Sequence, residues 1–288
     1  MKITDILRAK KPATAFEIFP PKPDVPLESI YDHLDQFEAL KPDYISVTYG
    51  AGGSQKGRTF EIASRVKNMH HIECMAHFTC VGHSKEDIDD MLHKMHGHGL
   101  ENIMALRGDP PANQPDFDFG RNVYSHAYEL VGHIRKINDF CIGAAVHMEG
   151  HVESLRLRDD LIRLKEKVDA GVDFLVTQFF FDNRIYYHFL ERAGGIGIKC
   201  PVMPGIMPVF RADQIKSMTA KSGCSIPAKL VLTMDRYQGN ADDLRKAAIE
   251  YAANQIRDLI GSGAPGIHLY TMNRPKAARE ILEAAGLR

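Results

Sequence analysis

Neither sign of charge prevails in this 288-residue chain, where 36 Lys and Arg meet 37 Asp and Glu for a formal charge of −1. No overall field is present to gather nucleic acid or an anionic membrane, so an anionic ligand must be held by local groups. Cysteine is scarce. Cys74, Cys80, Cys141, Cys200 and Cys224 are odd in number and include no Cys-x-x-Cys pair. That argues against a disulfide framework or a zinc knuckle and fits a reducing cytoplasm. No stretch approaches the roughly 18 uninterrupted apolar residues of a membrane span, and the N-terminal segment lacks the apolar core of an export signal. The protein is expected to be neither exported nor membrane-spanning, with no nucleic-acid or membrane partner. Low-complexity linkers, solenoid repeats and composition breaks are also missing, so residues 1–288 are expected to form one domain.

What is present is a core-forming composition, 44% hydrophobic and 25% charged, in a chain of the length at which α/β barrels fold as a single unit. Short apolar β-rich segments recur at 14–19, 44–48, 73–79, 102–106, 141–147, 174–179, 202–206 and 266–270. Longer amphipathic segments lie among them, including 27–40, 84–96, 123–137, 154–170, 183–193 and 274–285. This alternation is the mark of βαβ units and a parallel sheet. Ser84 with Asp87 resembles a capping box, and Gly171 and Gly286 are suited to stopping helices. Between the seventh and eighth strands, 212–221, 227–234 and 241–260 read as extra helices. Eight units also suit a doubly wound open sheet. The Gly-x-Gly-x-x-Gly turn expected after the first strand of such a sheet is absent; Phe19-Pro20-Pro21 stands there instead. The expected fold is an α/β (β/α)₈ TIM barrel with extra helices between strands seven and eight.

In such a barrel the chemistry gathers at the C-terminal ends of the strands. Nearly every strand supplies a polar residue there: Glu17, Thr48-Tyr49, His77 and Thr79, Arg107-Gly108-Asp109, His147 with Glu149-Gly150-His151, Thr177-Gln178, then Gln214 and Asn273-Arg274. Each alone has a plain explanation, such as a solvated carboxylate or a satisfied core histidine. Together they read as a ligand-binding mouth, because a buried polar group without a partner costs on the order of ~1–3 kcal/mol. On the helix after the fifth strand, Asp160, Arg163 and Lys167 stand at i, i+3 and i+7 and share a face. Bordering the mouth, that face would offer cations to a phosphate and a carboxylate to a ribose hydroxyl. His93, His96 and His98 lack the accompanying ligands of a metal site and read as a surface cluster; no metal is expected.

Several motifs taken together resemble the methylenetetrahydrofolate reductase family: Phe16-Glu17-Ile18-Phe19-Pro20-Pro21, Ser46-Val47-Thr48-Tyr49-Gly50-Ala51, Ala105-Leu106-Arg107-Gly108-Asp109, Leu164 through Gly171, Thr177 through Asp182, and Pro204 through Pro208. The likeness runs from the first strand to the last and is to the short bacterial form, the catalytic barrel alone. It implies flavin-dependent reduction of 5,10-methylenetetrahydrofolate to 5-methyltetrahydrofolate. Glu17 matches the general acid, with a pKa expected to be raised by burial, and Asp109 matches the carboxylate that stabilises the cationic intermediate. The implied FAD contacts are Thr48, Tyr49, Ala51, His77, Arg107, Gly108, Asp109, Ala127, His147, His151, Asp160, Arg163 and Lys167. Glu17, Asp109, Gln178, Gln214, Met218 and Arg274 are the implied substrate contacts. NADH or NADPH is the implied electron donor, and a homo-oligomer is expected.

The chain departs from the family pattern at His147-Met148, where many members have Tyr-Pro, at Arg163, commonly a neutral residue, and at Met218, where well-known members place an aromatic. Met218 motivates an alternative in which electrons come from a protein partner. A flavin-free methyl-transfer barrel is the other alternative, and it would not need Glu17 together with Arg107 and Asp109.

Overall fold

Strands whose two faces are both buried carry near-continuous apolar runs, with alternate residues turned to opposite sides. In β1 (Ala13–Ile18) Phe16 and Ile18 pack outward beneath the helices, while Ala13 and Ala15 turn into a separate inner cluster. The computed structural model describes residues 1–49, 56–110, 117–121 and 123–288. Among these the remaining strands are β2 (Tyr44–Val47), β3 (Glu73–Thr79), β4 (Asn102–Leu106), β5 (Cys141–Val146), β6 (Phe174–Thr177), β7 (Val202–Met203), β8 (Gly205–Ile206) and β9 (Gly266–Tyr270). All pair in parallel, in the order β7-β6-β5-β4-β3-β2-β1-β9-β8.

The two ends of that order are one strand position. β7 pairs with β6 and β8 with β9, and only Pro204 separates them. The expected strand 202–206 is thus interrupted at a residue with no N–H to give to a ladder. The Pro204 carbonyl still accepts from the His268 amide at 2.9 Å, and the Gly205 amide donates to Thr177 Oγ1 at 2.8 Å. The split strand closes the ring, making a (β/α)₈ barrel. A Cβ at Gly205 would lie 2.4 Å from the Thr177 carbonyl and 2.7 Å from the Tyr270 ring. Its absence lets the Tyr270 hydroxyl reach the Thr177 carbonyl at 2.8 Å, joining β9 to β6 across the split strand.

The interior is filled by side chains. Met75, Met104, Phe174, Val176 and Met203 meet inside the ring, and Ile3, Ile6 and Leu7 of α1 (Ile3–Ala9) join them from the N-terminal end. Gly143 on β5 makes room for the largest of them, since a Cβ there would lie 2.8 Å from the Phe174 ring. The bulk missing at one interior position is thus supplied from another.

Outside the ring lie α2 (Tyr31–Glu38), α3 (Lys56–Asn68), α4 (Lys85–Gly97), α5 (Ala127–Ile137), α6 (Leu157–Asp169), α7 (Asn183–Gly195) and α11 (Pro275–Ala285). The three extra helices before β9 are α8 (Ala212–Ser222), α9 (Ala228–Tyr237) and α10 (Ala241–Gly261). α4 opens on the expected capping box, Ser84 accepting from the Asp87 amide while Asp87 accepts from that of Ser84. Gly286 ends α11 in the left-handed conformation. Segment 27–40 differs from expectation in opening as a 3₁₀ turn, Leu27–Ile30, before α2. α5 begins later than expected because the Glu129 carboxylate draws the Ser125 and His126 amides out of helical pairing, at 2.8 and 2.9 Å. Among the described residues, no helix is long and apolar enough to cross a membrane.

Candidate active site

Following the inward-facing positions of the strands toward their C-terminal ends, apolar residues give way to polar ones. The face of β1 that carries Ala13 and Ala15 next presents Glu17, which registers with Ser46 on β2 and Tyr270 on β9. Glu17 Oε2 lies 3.1 Å from His268 Nε2 and 3.5 Å from His77 Nε2. His77 Nε2 in turn lies 2.8 Å from Ser46 Oγ. His268 is fully buried, and its Nδ1 has no hydrogen-bond partner among the described residues. The ring therefore meets the described residues through Nε2, the nitrogen that faces Glu17.

This arrangement corrects the expected direction of the Glu17 pKa. Burial does push the carboxyl up, but the His268 hydrogen bond and the charges of His77 and His268 outweigh it and hold Glu17 below the ordinary value. Sequence reasoning counted the desolvation and omitted the donor from β9. His77 itself is pushed down to about 4, chiefly by burial and against the pull of Glu17. In the ligand-free protein at neutral pH, Glu17 is therefore a carboxylate flanked by imidazoles rather than a carboxylic acid.

At the C-terminal ends of β3 to β5 and along α6 lies a cavity of about 530 Å³. Its wall contains Tyr49, Arg107, Gly108, Asp109, Ala127, His147, His151, Asp160, Arg163 and Lys167, ten of the thirteen positions at which the family likeness implies flavin contacts. Asp160, Arg163 and Lys167 share the cavity wall, as their helical spacing predicts. Lys167 Nζ donates to the Ala145 carbonyl at 2.8 Å, and burial pushes its ammonium down to about 8 against the attraction of Asp160. Asp160 Oδ2 accepts from the His151 amide at 2.8 Å, fixing the loop before α6. Arg107 is bound to Glu153 through both of its terminal nitrogens rather than to Asp109, which is exposed. Gly108 has φ +92°, and a Cβ there would lie 2.9 Å from that of Thr79, so no larger residue fits the turn without strain. Burial and the charge of His151 push His147 down to about 4, and its buried Nδ1 has no hydrogen-bond partner among the described residues.

These groups fit an elongated nucleotide bearing phosphates. Arg107, Arg163 and Lys167 supply positive charge, and Asp160 can accept from a hydroxyl. Among the described residues, Asp35, Glu38 and His70 come near enough to one another to share a cation, but on the outer helical layer and with Glu38 already bonded to His70 at 2.8 Å. His93 and His98 bond to the Asp89 and Lys94 carbonyls of their own helix.

Other expected residues lie elsewhere. His77 belongs to the Glu17 cluster, not the cavity wall, and the Thr48 carbonyl accepts from Thr59 Oγ1 at 2.9 Å. Gln178 Oε1 accepts from the neighbouring Phe179 amide at 3.1 Å. Met218, half-buried, packs against the apolar cluster formed by Phe179, Phe181 and Ile215. Arg274 lies over the Phe210 ring at 5.6 Å and borders a second cavity of about 340 Å³ with Arg245 and Lys276. Gln214 lies on α8, its side chain outside the described atoms, and Ala51 lies outside the described residues. His268, Ser46 and Glu153 were not anticipated. The alternation that places Glu17 inside the ring does the same for His268, two residues before Tyr270.

A family model described as methylenetetrahydrofolate reductase matches residues 2–286. The methylenetetrahydrofolate reductase (NADH) 1 of Zea mays is 36% identical over 99% of this chain. The chain spans about half the length of that relative. The 5,10-methylenetetrahydrofolate reductases of Escherichia coli and Salmonella typhimurium are 31% and 30% identical, each over 95% of this chain and 90% of theirs. A solved structure, an uncharacterized Clostridium thermocellum protein that binds two copies of 5-methyl-5,6,7,8-tetrahydrofolic acid, has a TM-score of 0.62 and 13% identity over 100% of this chain and 99% of that one. That likeness is one of fold alone. The bacterial relatives match along nearly their full length, as the family model matches nearly all of this chain, and the chain belongs to the methylenetetrahydrofolate reductase family.

Proposed function

We propose that this chain reduces 5,10-methylenetetrahydrofolate to 5-methyltetrahydrofolate, with FAD held in the 530 Å³ cavity and electrons supplied by NADH or NADPH. The observation that supports this most is the gathering of ten of the implied flavin contacts in one cavity at the C-terminal ends of the strands, the end at which Glu17 also lies. Plant relatives carry NADH in their names, which favours that donor. In the reaction, Glu17 protonates N10 of the substrate, the bond from N10 to the bridging carbon breaks, and an iminium cation forms at N5. The carboxylate of Asp109 stabilises that cation without moving a proton. Reduced FAD, if held by Arg107, Arg163 and Lys167, would supply the hydride that the bridging carbon takes up.

An ionised Glu17 has to gain its proton as substrate arrives. A pterin covering the carboxyl deepens its burial, the influence that already pushes its pKa upward. Arg107, Arg163 and Lys167 would face the phosphates of the cofactor, and Asp160 a hydroxyl of its ribityl or ribose portion. Arg274 would pair with a folate carboxylate, and Gln178, Gln214 and Met218 would contact the folate or the nicotinamide. The free thiols at Cys74, Cys80, Cys141, Cys200 and Cys224 suit the reducing cytoplasm we assign to the protein.

An absorption spectrum after incubation with FAD tests the cofactor, with a bound-flavin band near ~450 nm expected. Failure to take up flavin would leave a flavin-free methyl-transfer barrel as the better reading. Stopped-flow mixing with NADH and then NADPH should bleach that band, and failure of both points to a protein donor. Glu17→Gln should keep flavin reduction by the donor and lose folate reduction; survival of both half-reactions removes Glu17 as the acid.

A further inference from the structure

We propose that Glu153 is a built-in counter-anion of the cavity, which a phosphate-bearing ligand must displace from Arg107 in order to bind. This rests on the reading of the cavity as a flavin-nucleotide site. The two terminal nitrogens of Arg107 meet the two carboxylate oxygens of Glu153 at 3.0 and 3.1 Å. That fork is the geometry with which a guanidinium would grip a phosphate. The Arg107 guanidinium also lies over the Phe119 ring at 4.1 Å, which limits its freedom to turn toward a second anion. Glu153 lies in the same cationic corner, with His151 Nδ1 at 3.8 Å and the charge of Arg163 acting on it. Its hydrogen bond to Arg107 keeps the carboxyl below the ordinary range, so it is ionised at neutral pH.

Two anions cannot occupy one fork without repulsion, so a phosphate that takes the Arg107 fork must part it from Glu153, while Arg163 and Lys167 line the same wall. Lys167 is engaged by the Ala145 carbonyl. Of the paired residues, Glu153 is the one free to leave, with 56% of its side chain exposed against 25% for Arg107. It sits in the loop before α6, where an outward swing meets solvent. Arg107 is therefore neutralised in the ligand-free protein, and part of the affinity for a phosphate ligand is spent releasing Glu153.

The test compares wild type, Glu153→Gln and Glu153→Ala in fluorescence titrations with FAD at low salt, on protein stripped of any retained flavin. ADP is titrated in parallel by calorimetry. Both substitutions should tighten FAD and ADP by about two- to fivefold, the scale of one solvent-exposed ion pair. Riboflavin, which has no phosphate, should bind all three proteins equally. Unchanged or weaker FAD binding in both variants overturns the proposal, as does an equal gain for riboflavin. Wild-type protein that binds neither FAD nor ADP removes the flavin-site reading itself, a failure visible before any variant is compared.

Discussion

Replacing His268 by leucine should invert the way Glu17 couples folding to pH. Burial is the largest single influence on the Glu17 carboxyl and exceeds that of His77, so once the His268 contributions are gone the carboxyl should move from below to above its ordinary 4.5. A hydrogen bond to a charged group contributes about 1.5–3 kcal/mol, which corresponds to about one to two pH units. In the intact protein the folded pKa lies below the unfolded one. Glu17 then adds stability that is fully present above the unfolded value and lost as pH falls through the folded value. With His268→Leu the order reverses, and the carboxyl costs stability as pH rises past the unfolded value. Urea unfolding of wild type, Glu17→Gln, His268→Leu and the double variant, between about pH 3.5 and 7, isolates this contribution as a double-mutant cycle. The stability difference between the glutamate form and its Glu17→Gln counterpart should grow with pH in the wild-type background and shrink in the His268→Leu background. Slopes of the same sign in both backgrounds would refute the account of Glu17 given above.

Phe174→Ala should lower stability by about 3–5 kcal/mol, and Gly143→Ala should also destabilise. The double variant should cost less than the sum, because the added methyl would occupy space next to the Phe174 ring; strict additivity in denaturant titrations would contradict that packing. Gly108→Ala, forced to hold φ +92° against Thr79, should cost about 1–3 kcal/mol as a shift in urea midpoint, and an unchanged midpoint would show that the turn relaxes. Lys167, held at about 8 in the fold, carries a charge that costs stability below that pH, a cost that fades toward its unfolded value of ~10.4. ADP binding near pH ~8.5 should therefore take up protons, measured by calorimetry in buffers of different ionisation enthalpy, and Lys167→Met should abolish the uptake.

Strands whose ends coincide with a change from apolar to polar residues were legible to the residue: 73–79, 102–106 and 266–270 match β3, β4 and β9. Where a tertiary contact sets the boundary, sequence spacing misplaces it, as at the start of α5, where Glu129 holds two preceding amides. The face shared by Asp160, Arg163 and Lys167 was readable because helical periodicity is local. The pairings of Glu17 with His268 and of Arg107 with Glu153 join residues 251 and 46 positions apart. Neither residue type nor spacing signals such contacts. This is why the sequence pointed to the Glu17 carboxylate but not to the direction in which its pKa is displaced.

The split at Pro204 leaves the barrel with a seam. β7 and β8 each hold their neighbour by two register pairs, whereas β3 and β4 share five. Local opening follows the weakest ladder, so amide exchange in the ring should begin here and spread last to the five-pair ladders β3–β4 and β1–β9. Much of what keeps the mouth end of the seam shut is a side-chain bond, Tyr270 to the Thr177 carbonyl, made beside the residue that leads into Gln178. The seam beside Gln178 is thus the most easily parted place in the ring, while the β3–β4 wall beneath the proposed flavin cavity is more firmly laced. A cofactor that stays and a substrate that must come and go would be matched by that gradient of stiffness around a single ring.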